Sequence, residues 1–364
     1  MTTGYLVLET GEIFNGEWIG DSQEVTGEVV FNTSMTGYQE MMTDPSYAGQ
    51  ILTFCYPLIG NYGLNDQDHE SKKIAVSAVI VNDLCEEPSH YQSSRSFANQ
   101  LKDEGIPGLK NIDTRELVSA IRKYHTVRGK IVNDIKGAVH FDDKKDSKDE
   151  NFVDSVSVKK QETFENEGFH VVLMDFGYKK SILDALLNEQ CRVTVVPYDT
   201  AIKDIQDMEP DGILLSNGPG DPMSMRAYFS TIKILTEQYP TLGICLGHQL
   251  IALAHGAKTK KMPFGHRGGN HPVKDIITGK VTITSQNHGY VVVEESINEG
   301  AFQVQFRNVN DGSLEGMSHR YLPIQSVQFH PEGHPGPSDT EYIFKQFIQQ
   351  LAAGGKKTCG SVII

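Results

Sequence analysis

Cys245, His330 and Glu332 are the residue types that an amide-cleaving site would use. A thiolate nucleophile needs a base, and the base needs a group that orients it. Cys245 lies in Gly243-Ile244-Cys245-Leu246-Gly247-His248-Gln249, and the other two lie in His330-Pro331-Glu332. Thr241 to Ile244 reads as the end of a buried strand and Gly247 to Ala254 as the start of an apolar helix, so Cys245 falls at a corner. Gly-x-Cys-x-Gly has the layout of the Gly-x-Ser-x-Gly nucleophile elbow, in which small residues on either side allow a sharp turn. The following helix aims its first N–H groups at the sulfur, and the Leu246 N–H is placed to donate to an oxyanion. Ile324 to Phe329 reads as a strand with His330 at its end. Residues two apart on extended chain point the same way, which brings Glu332 to the His330 ring. A carboxylate on one ring nitrogen fixes the tautomer and leaves the other nitrogen to take the thiol proton. A single cysteine is more often ordinary packing, and His-Pro-Glu alone could be a surface turn. Their combination points to chemistry.

The elements that must hold these residues follow from hydrophobic pattern. From Phe169 onward apolar strands alternate with helices: strands at 170–175, 191–196, 212–215 and 241–244, and helices at 182–187 and 227–237. Such a pattern implies a parallel sheet covered on both faces, with reactive groups outside the carboxyl ends of its strands. Asn217-Gly218-Pro219-Gly220 and Cys245 both fall at such ends. Thr282 to Val293 and Ala301 to Phe306 read as further strands, and Ser338 to Leu351 as a closing helix. Residues 1–140 read as a β-rich α/β domain, with strands at 5–8, 28–31, 51–54 and 74–81 and helices at 93–104 and 113–124. The mixed-charge run Asp142 to Glu150 lacks apolar periodicity, so 141–168 is expected to be a solvated linker. The remaining divisions are 169–353 for the α/β domain and 354–364 for a tail.

Gly-Ile-Cys-Leu-Gly-His-Gln with a distant His-Pro-Glu resembles the class I, or triad, glutamine amidotransferases. Leu215 to Pro222 resembles their oxyanion loop, and Gln286-Asn287-His288-Gly289-Tyr290 their glutamine-contact segment. The N-terminal run Phe31 to Glu40, with Asp44-Pro45-Ser46-Tyr47 and Ile112-Asp113-Thr114-Arg115, is similar to the small, glutamine-hydrolysing chains of carbamoyl phosphate synthetase. The likeness covers nearly the whole chain outside 141–168 and the last ten or so residues. It implies an N-terminal β-rich α/β domain followed by a class I amidotransferase domain with an open, mostly parallel sheet flanked by helices. Further implications are Cys245 as nucleophile, His330 as base and then acid, Glu332 as orienting carboxylate, and the N–H groups of Gly218 and Leu246 as oxyanion hole. Ser46, Gly218, Gly220, Leu246, Gln249, Asn287, Gly289 and Tyr290 would hold L-glutamine. The partner implied is a large synthetase subunit that uses ATP and Mg²⁺, with no cofactor in this chain. Gly333 and His334 stand where the family commonly has Ala and Ser, and Tyr290 where Phe is also seen.

Composition narrows the alternatives. A formal charge of −14 over 364 residues argues against non-specific nucleic-acid binding. Five cysteines without zinc spacing fit a reducing cytosol. No signal peptide and no bilayer-spanning apolar run is visible, so a cytoplasmic protein with no membrane association is expected. Gly218-Pro219-Gly220 lacks the Gly-Lys-Ser/Thr of a nucleotide loop. His266, His271 and His288 are irregularly spaced without clustered acid or thiol ligands, so no metal is expected. Two other readings stand beside the synthetase one: a glutaminase serving another acceptor, which Phe31 to Gln39 opposes, and a non-catalytic regulatory subunit, which the intact Cys245, His330 and Glu332 oppose.

Overall fold

The computed structural model describes residues 2–135, 140–141 and 151–354. The N-terminal part closes into a seven-stranded barrel. Its strands run around in the order Thr3–Leu8, Ile13–Gly20, Pro107–Lys110, Ala78–Ile80, Gln50–Phe54, Val25–Asn32 and Val127–Val132, the last pairing back on the first. Alternation sorts the side chains. Val29, Ile51 and Ala78 point into one apolar cluster with Leu117 and Ile121 of the helix Thr114–Tyr124. Their neighbours Val30, Leu52 and Val79 point into another, with Phe97 and Leu101 of the helix Phe97–Asp103. Strands buried on both faces need apolar residues at successive positions, which is why these segments read as continuous runs. The expected strand at 74–81 is confined to Ala78–Ile80, and the expected helix at 93–104 to Phe97–Asp103, where Ser96 caps the first turn.

The C-terminal part is a ten-stranded sheet. Five parallel strands lie side by side: Arg192–Pro197, His170–Asp175, Gly212–Leu215, Thr241–Ile244 and Ile324–Val327. Antiparallel strands extend it, Leu314–His319, Phe302–Asn308, Thr259–Asp275 and Val281–Val292 on one side and Glu162–Phe164 on the other. The sheet as a whole is therefore mixed. Helices cover both faces: Phe229–Gln238 and Leu246–Ala254 contribute Ile232, Leu235, Leu250 and Ile251 to one cluster, while Lys180–Asn188 and Tyr342–Gly354 contribute Ile182, Leu186, Phe344 and Phe347 to the other. No helix of the described residues is long and apolar enough to cross a membrane.

Three elements depart from expectation. Residues 152–164 are not a solvated linker: Phe152–Val156 is a short helix capped by Asn151, Val153 is 1% exposed in the core, and Glu162–Phe164 edges the sheet. The charged run at 142–150 lies outside the described residues, as does the tail from 355. The 17-residue strand Thr259–Asp275 has no counterpart in the expected strands. The expected helix at 227–237 is a 3₁₀ turn, Pro222–Tyr228, followed by Phe229–Gln238.

Candidate active site

The adjacent parallel strands Gly212–Leu215, Thr241–Ile244 and Ile324–Val327 end at one edge, and each hands over a functional segment there. The first leads into Asn217-Gly218, the second into Cys245, the third towards His330. Cys245 sits at φ 52°, ψ −102°, a left-handed conformation that a residue with a Cβ adopts at a cost of about 1–3 kcal/mol. Hydrogen bonds hold it there. The Cys245 N–H donates to Val327 O at 2.8 Å, and the Gly247 N–H to Ser216 O at 3.0 Å. A Cβ on Gly247 would fall 2.1 Å from Leu215 O, a main-chain atom, and one on Gly243 2.9 Å from the Gly247 main-chain carbon, so both corner positions favour glycine. Cys245 is 2% exposed, and its sulfur donates to Asn287 O at 3.6 Å and accepts from Gln328 Nε2 at 3.6 Å.

His330 Nδ1 lies 2.6 Å from Glu332 Oε1, with both residues buried. Nε2 has no hydrogen-bond partner among the described residues. The same Glu332 oxygen lies 3.1 Å from Lys179 Nζ, which also donates to Gly333 O at 2.7 Å. Burial alone would raise the Glu332 carboxyl, but the Lys179 ammonium and the His330 ring outweigh it and hold it well below the usual carboxylate range. Burial would likewise lower His330, but Glu332 and the neighbouring Cys245 raise it above the ordinary imidazole range. Burial also opposes the charge on Lys179, which Glu332, Glu70 and Asp44 restore and raise. The ring thus keeps its proton firmly, with Nε2 left over to exchange one.

In front of Cys245 lies a cavity of about 310 Å³. Gly218, Gly220, Gln249, Asn287, Gly289 and Tyr290 line it, and Ser46 reaches it from the barrel domain. Leu246 buries its side chain in the core at 1% exposure, leaving its N–H at the helix start. Gln249 Nε2 donates to Tyr290 O at 2.8 Å and to Gln328 Oε1 at 2.9 Å, tying the elbow helix to the Asn287 segment. The Tyr290 hydroxyl donates to Asp221 Oδ2 at 3.0 Å, closing one side of the cavity.

Sequence reasoning missed several residues of this constellation. Asp44 accepts from the Ser46 N–H at 2.9 Å and from Asn287 Nδ2 at 2.9 Å. Asn217 Nδ2 donates to Ser46 Oγ at 2.9 Å. Asp44 and Asn217 thus bind the barrel domain to both loops that wall the cavity. Both lie inside segments already singled out, Asp44 to Tyr47 and Leu215 to Pro222, so their polar side chains among otherwise buried neighbours were the available signal. Lys179 had one too: a lysine directly after an apolar strand and turn, Val171 to Tyr178. Of the three histidines weighed for metal, His266 and His288 fall with Glu315 in one buried cluster whose ligand atoms lie within 4.8 Å of one another. Both His288 nitrogens are engaged, by Tyr290 O at 2.8 Å and Gln286 Oε1 at 2.9 Å, and Glu315 accepts from Gln286 and Asn308. The cluster therefore braces the back of the Asn287 segment.

A cysteine elbow and a buried His–Glu pair at the ends of a parallel sheet define a class I glutamine amidotransferase domain, and residues 172–350 match the family model "Glutamine amidotransferase class-I". Residues 6–131 match "Carbamoyl-phosphate synthase small chain, CPSase domain". The arginine-specific carbamoyl phosphate synthase small chain of Halalkalibacterium halodurans is 50% identical over 353 residues, covering 97% of this chain and 98% of that protein. Those of Bacillus subtilis, at 50% identity over 96% of this chain and 97% of that protein, and Geobacillus stearothermophilus, at 51% over 96% and 98%, are similarly close. The chain belongs to the carbamoyl phosphate synthase small-chain family.

Proposed function

We propose that this chain is the glutaminase subunit of a carbamoyl phosphate synthetase. The observation that carries the reading is the position of Cys245: a strained elbow facing a cavity walled by residues of both domains, beside a buried His330–Glu332 pair whose Nδ1 and Oε1 lie 2.6 Å apart. Cys245 Sγ attacks the side-chain carbonyl carbon of L-glutamine. The tetrahedral oxyanion is received by the N–H groups of Gly218 and Leu246. His330 Nε2 holds the thiol proton and delivers it to the departing nitrogen, which leaves as ammonia. A γ-glutamyl thioester remains. Water attacks it, giving its proton to His330, and glutamate leaves as the thiol re-forms. Glu332 fixes the ring and stabilises its charged form. Gln249, Asn287, Gly289, Tyr290, Gly220 and Ser46 hold the substrate.

The ammonia passes to a large synthetase subunit, which binds ATP, Mg²⁺ and bicarbonate. Ammonia in water becomes mostly ammonium and loses its nucleophilicity, so transfer protected from solvent keeps it reactive. The arginine-specific names of the relatives support a role in arginine synthesis. The test pairs the chain with a large synthetase subunit, ATP, Mg²⁺ and bicarbonate, and follows carbamoyl phosphate. Glutamine should support synthesis with the native chain and fail with Cys245→Ser, while ammonia serves with either. Assembly without glutamine-dependent synthesis by the native chain would make this a docking subunit and overturn the reading.

A further inference from the structure

The chain of buried charges behind Cys245 does not end in the amidotransferase domain. Glu70, in the barrel domain, is 4% exposed. Its Oε2 accepts from the Ser181 N–H at 3.1 Å and from Ser181 Oγ at 2.7 Å, and its main-chain carbonyl accepts from the Lys180 N–H at 2.8 Å. These are the first two N–H groups of the helix Lys180–Asn188, which has no capping side chain of its own at Lys179. A helix start leaves its N–H groups without partners and carries partial positive charge, so an acceptor with a negative charge is the group that suits it. Glu70 provides that cap from the other domain. It is itself fixed, because its N–H donates to Thr43 Oγ1 at 3.0 Å, one residue before Asp44.

Lys179 is the residue on which this helix starts, and its ammonium lies against Glu332 Oε1 at 3.1 Å. Glu332 in turn holds His330. We propose that Glu70 is a positioning residue for glutamine hydrolysis: it caps Lys180–Asn188 across the domain boundary and so keeps Lys179 against Glu332 and the His330 ring in line with Cys245. This rests on the assignment of those residues as the hydrolytic site. Glu70 is absent from the wall of the glutamine cavity. It lines a second cavity, of about 290 Å³, whose wall includes Ser181, Glu332 and His334. Its loss therefore disturbs the base and leaves the substrate contacts in place. Inside a protein such charges are screened less than in water, so a shift of Lys179 is felt at Glu332.

The test uses the full chain paired with the large subunit and measures glutamate formation at varied glutamine. Glu70→Ala should lower kcat by about tenfold to a hundredfold, the scale on which a small misplacement of a catalytic group acts, with KM changed by less than about twofold. Glu70→Gln keeps an acceptor for Ser181 but loses the charge, and should fall between native and Glu70→Ala. Ser96→Ala removes the cap of a helix remote from the site, where Ser96 Oγ accepts from the Asn99 N–H at 3.3 Å, and should keep native kcat despite lower stability. Native kcat in Glu70→Ala, or a rise in KM alone, overturns the proposal. Should Glu70→Ala fail to fold, Glu70→Gln decides: kcat reduced at native KM supports it, native kcat refutes it. If the native pair shows no Cys245-dependent hydrolysis, the hydrolytic assignment fails instead.

Discussion

At the scale of single residues the site is held by a few acceptors that each serve several donors. Asp44 is the clearest: its carboxylate receives the Ser46 N–H and Asn287 Nδ2, and lies 3.5 Å from Asn217 Nδ2. Hydrogen bonds to a charged group contribute about 1.5–3 kcal/mol each. Asp44→Ala should therefore raise KM for glutamine by about ten- to a hundredfold while kcat changes a few-fold at most, because the loops it fixes are the ones proposed to contact substrate, whereas it reaches His330 only indirectly, through Lys179 and Glu332. Asp44→Asn, which retains one acceptor, should lie between. Steady-state glutamate formation decides the matter, and a fall in kcat at constant KM would place Asp44 in the chemistry instead. The elbow at Cys245 and the His330–Glu332 pair were legible in the sequence because the roles proposed for them demand fixed residue types within short motifs. Asp44 was not assigned a role because its partner Asn287 lies 243 residues away, and no local pattern encodes that contact. Lys179 escaped for the same reason, since its partner Glu332 is brought to it only by the folded sheet.

At the scale of elements the corner between Thr241–Ile244 and Leu246–Ala254 is the most constrained. A methyl on Gly247 meets Leu215 O, a main-chain atom that is locked in the neighbouring strand. Gly247→Ala should destabilise the chain by about 1–3 kcal/mol, the usual cost of overpacking, and displace Cys245. Gly256, at φ 92° with open space around it, is the control: Gly256→Ala carries only backbone strain. Thermal unfolding should show a clearly larger loss at 247, and equal losses would remove the steric argument. The parallel strands were readable because burial on both faces gives unbroken apolar runs. Thr259–Asp275 was not. Register shifts between Lys261 and His266 and between Gly268 and His271 reset its alternation, and its buried His266 and Arg267 look like surface residues. The barrel was legible only as β-rich, since closure depends on the pairing of Val127–Val132 with Thr3–Leu8, the ends of the domain. The helix and strand within 152–164 were hidden by the charged run that precedes them.

At the scale of the whole molecule the two domains are bound through buried polar groups, and so the fold carries an internal response to pH. His248 is pushed down to about 3 by burial, His255 to about 4 by burial and its neighbour His319, and His271 to about 4 by burial and His266. These rings are neutral in the folded chain at pH values where the unfolded chain, with histidines near 6.5, takes up protons. The unfolded state then binds more protons, and stability falls as pH drops from about 6.5 towards 4. His266 and His330 act in the opposite sense. Burial opposes their charge, but Glu315 and Asp311 raise the first, and Glu332 with Cys245 raises the second. Their contribution is complete below pH 6.5 and is lost as pH rises through their folded values. Stability should therefore peak near neutral pH. Urea unfolding at pH 4.5, 5.5, 7 and 9 should give the highest midpoint at 7 and lower ones on both sides. His248→Gln, which keeps an amide to bond Ser326 Oγ now 2.8 Å from His248 Nδ1, should flatten the acid side, because that ring no longer discriminates between the folded and unfolded chains. A midpoint that stays level from pH 7 to 4.5 would mean that the buried histidines are protonated without unfolding, and the neutral packing assigned to them would be wrong.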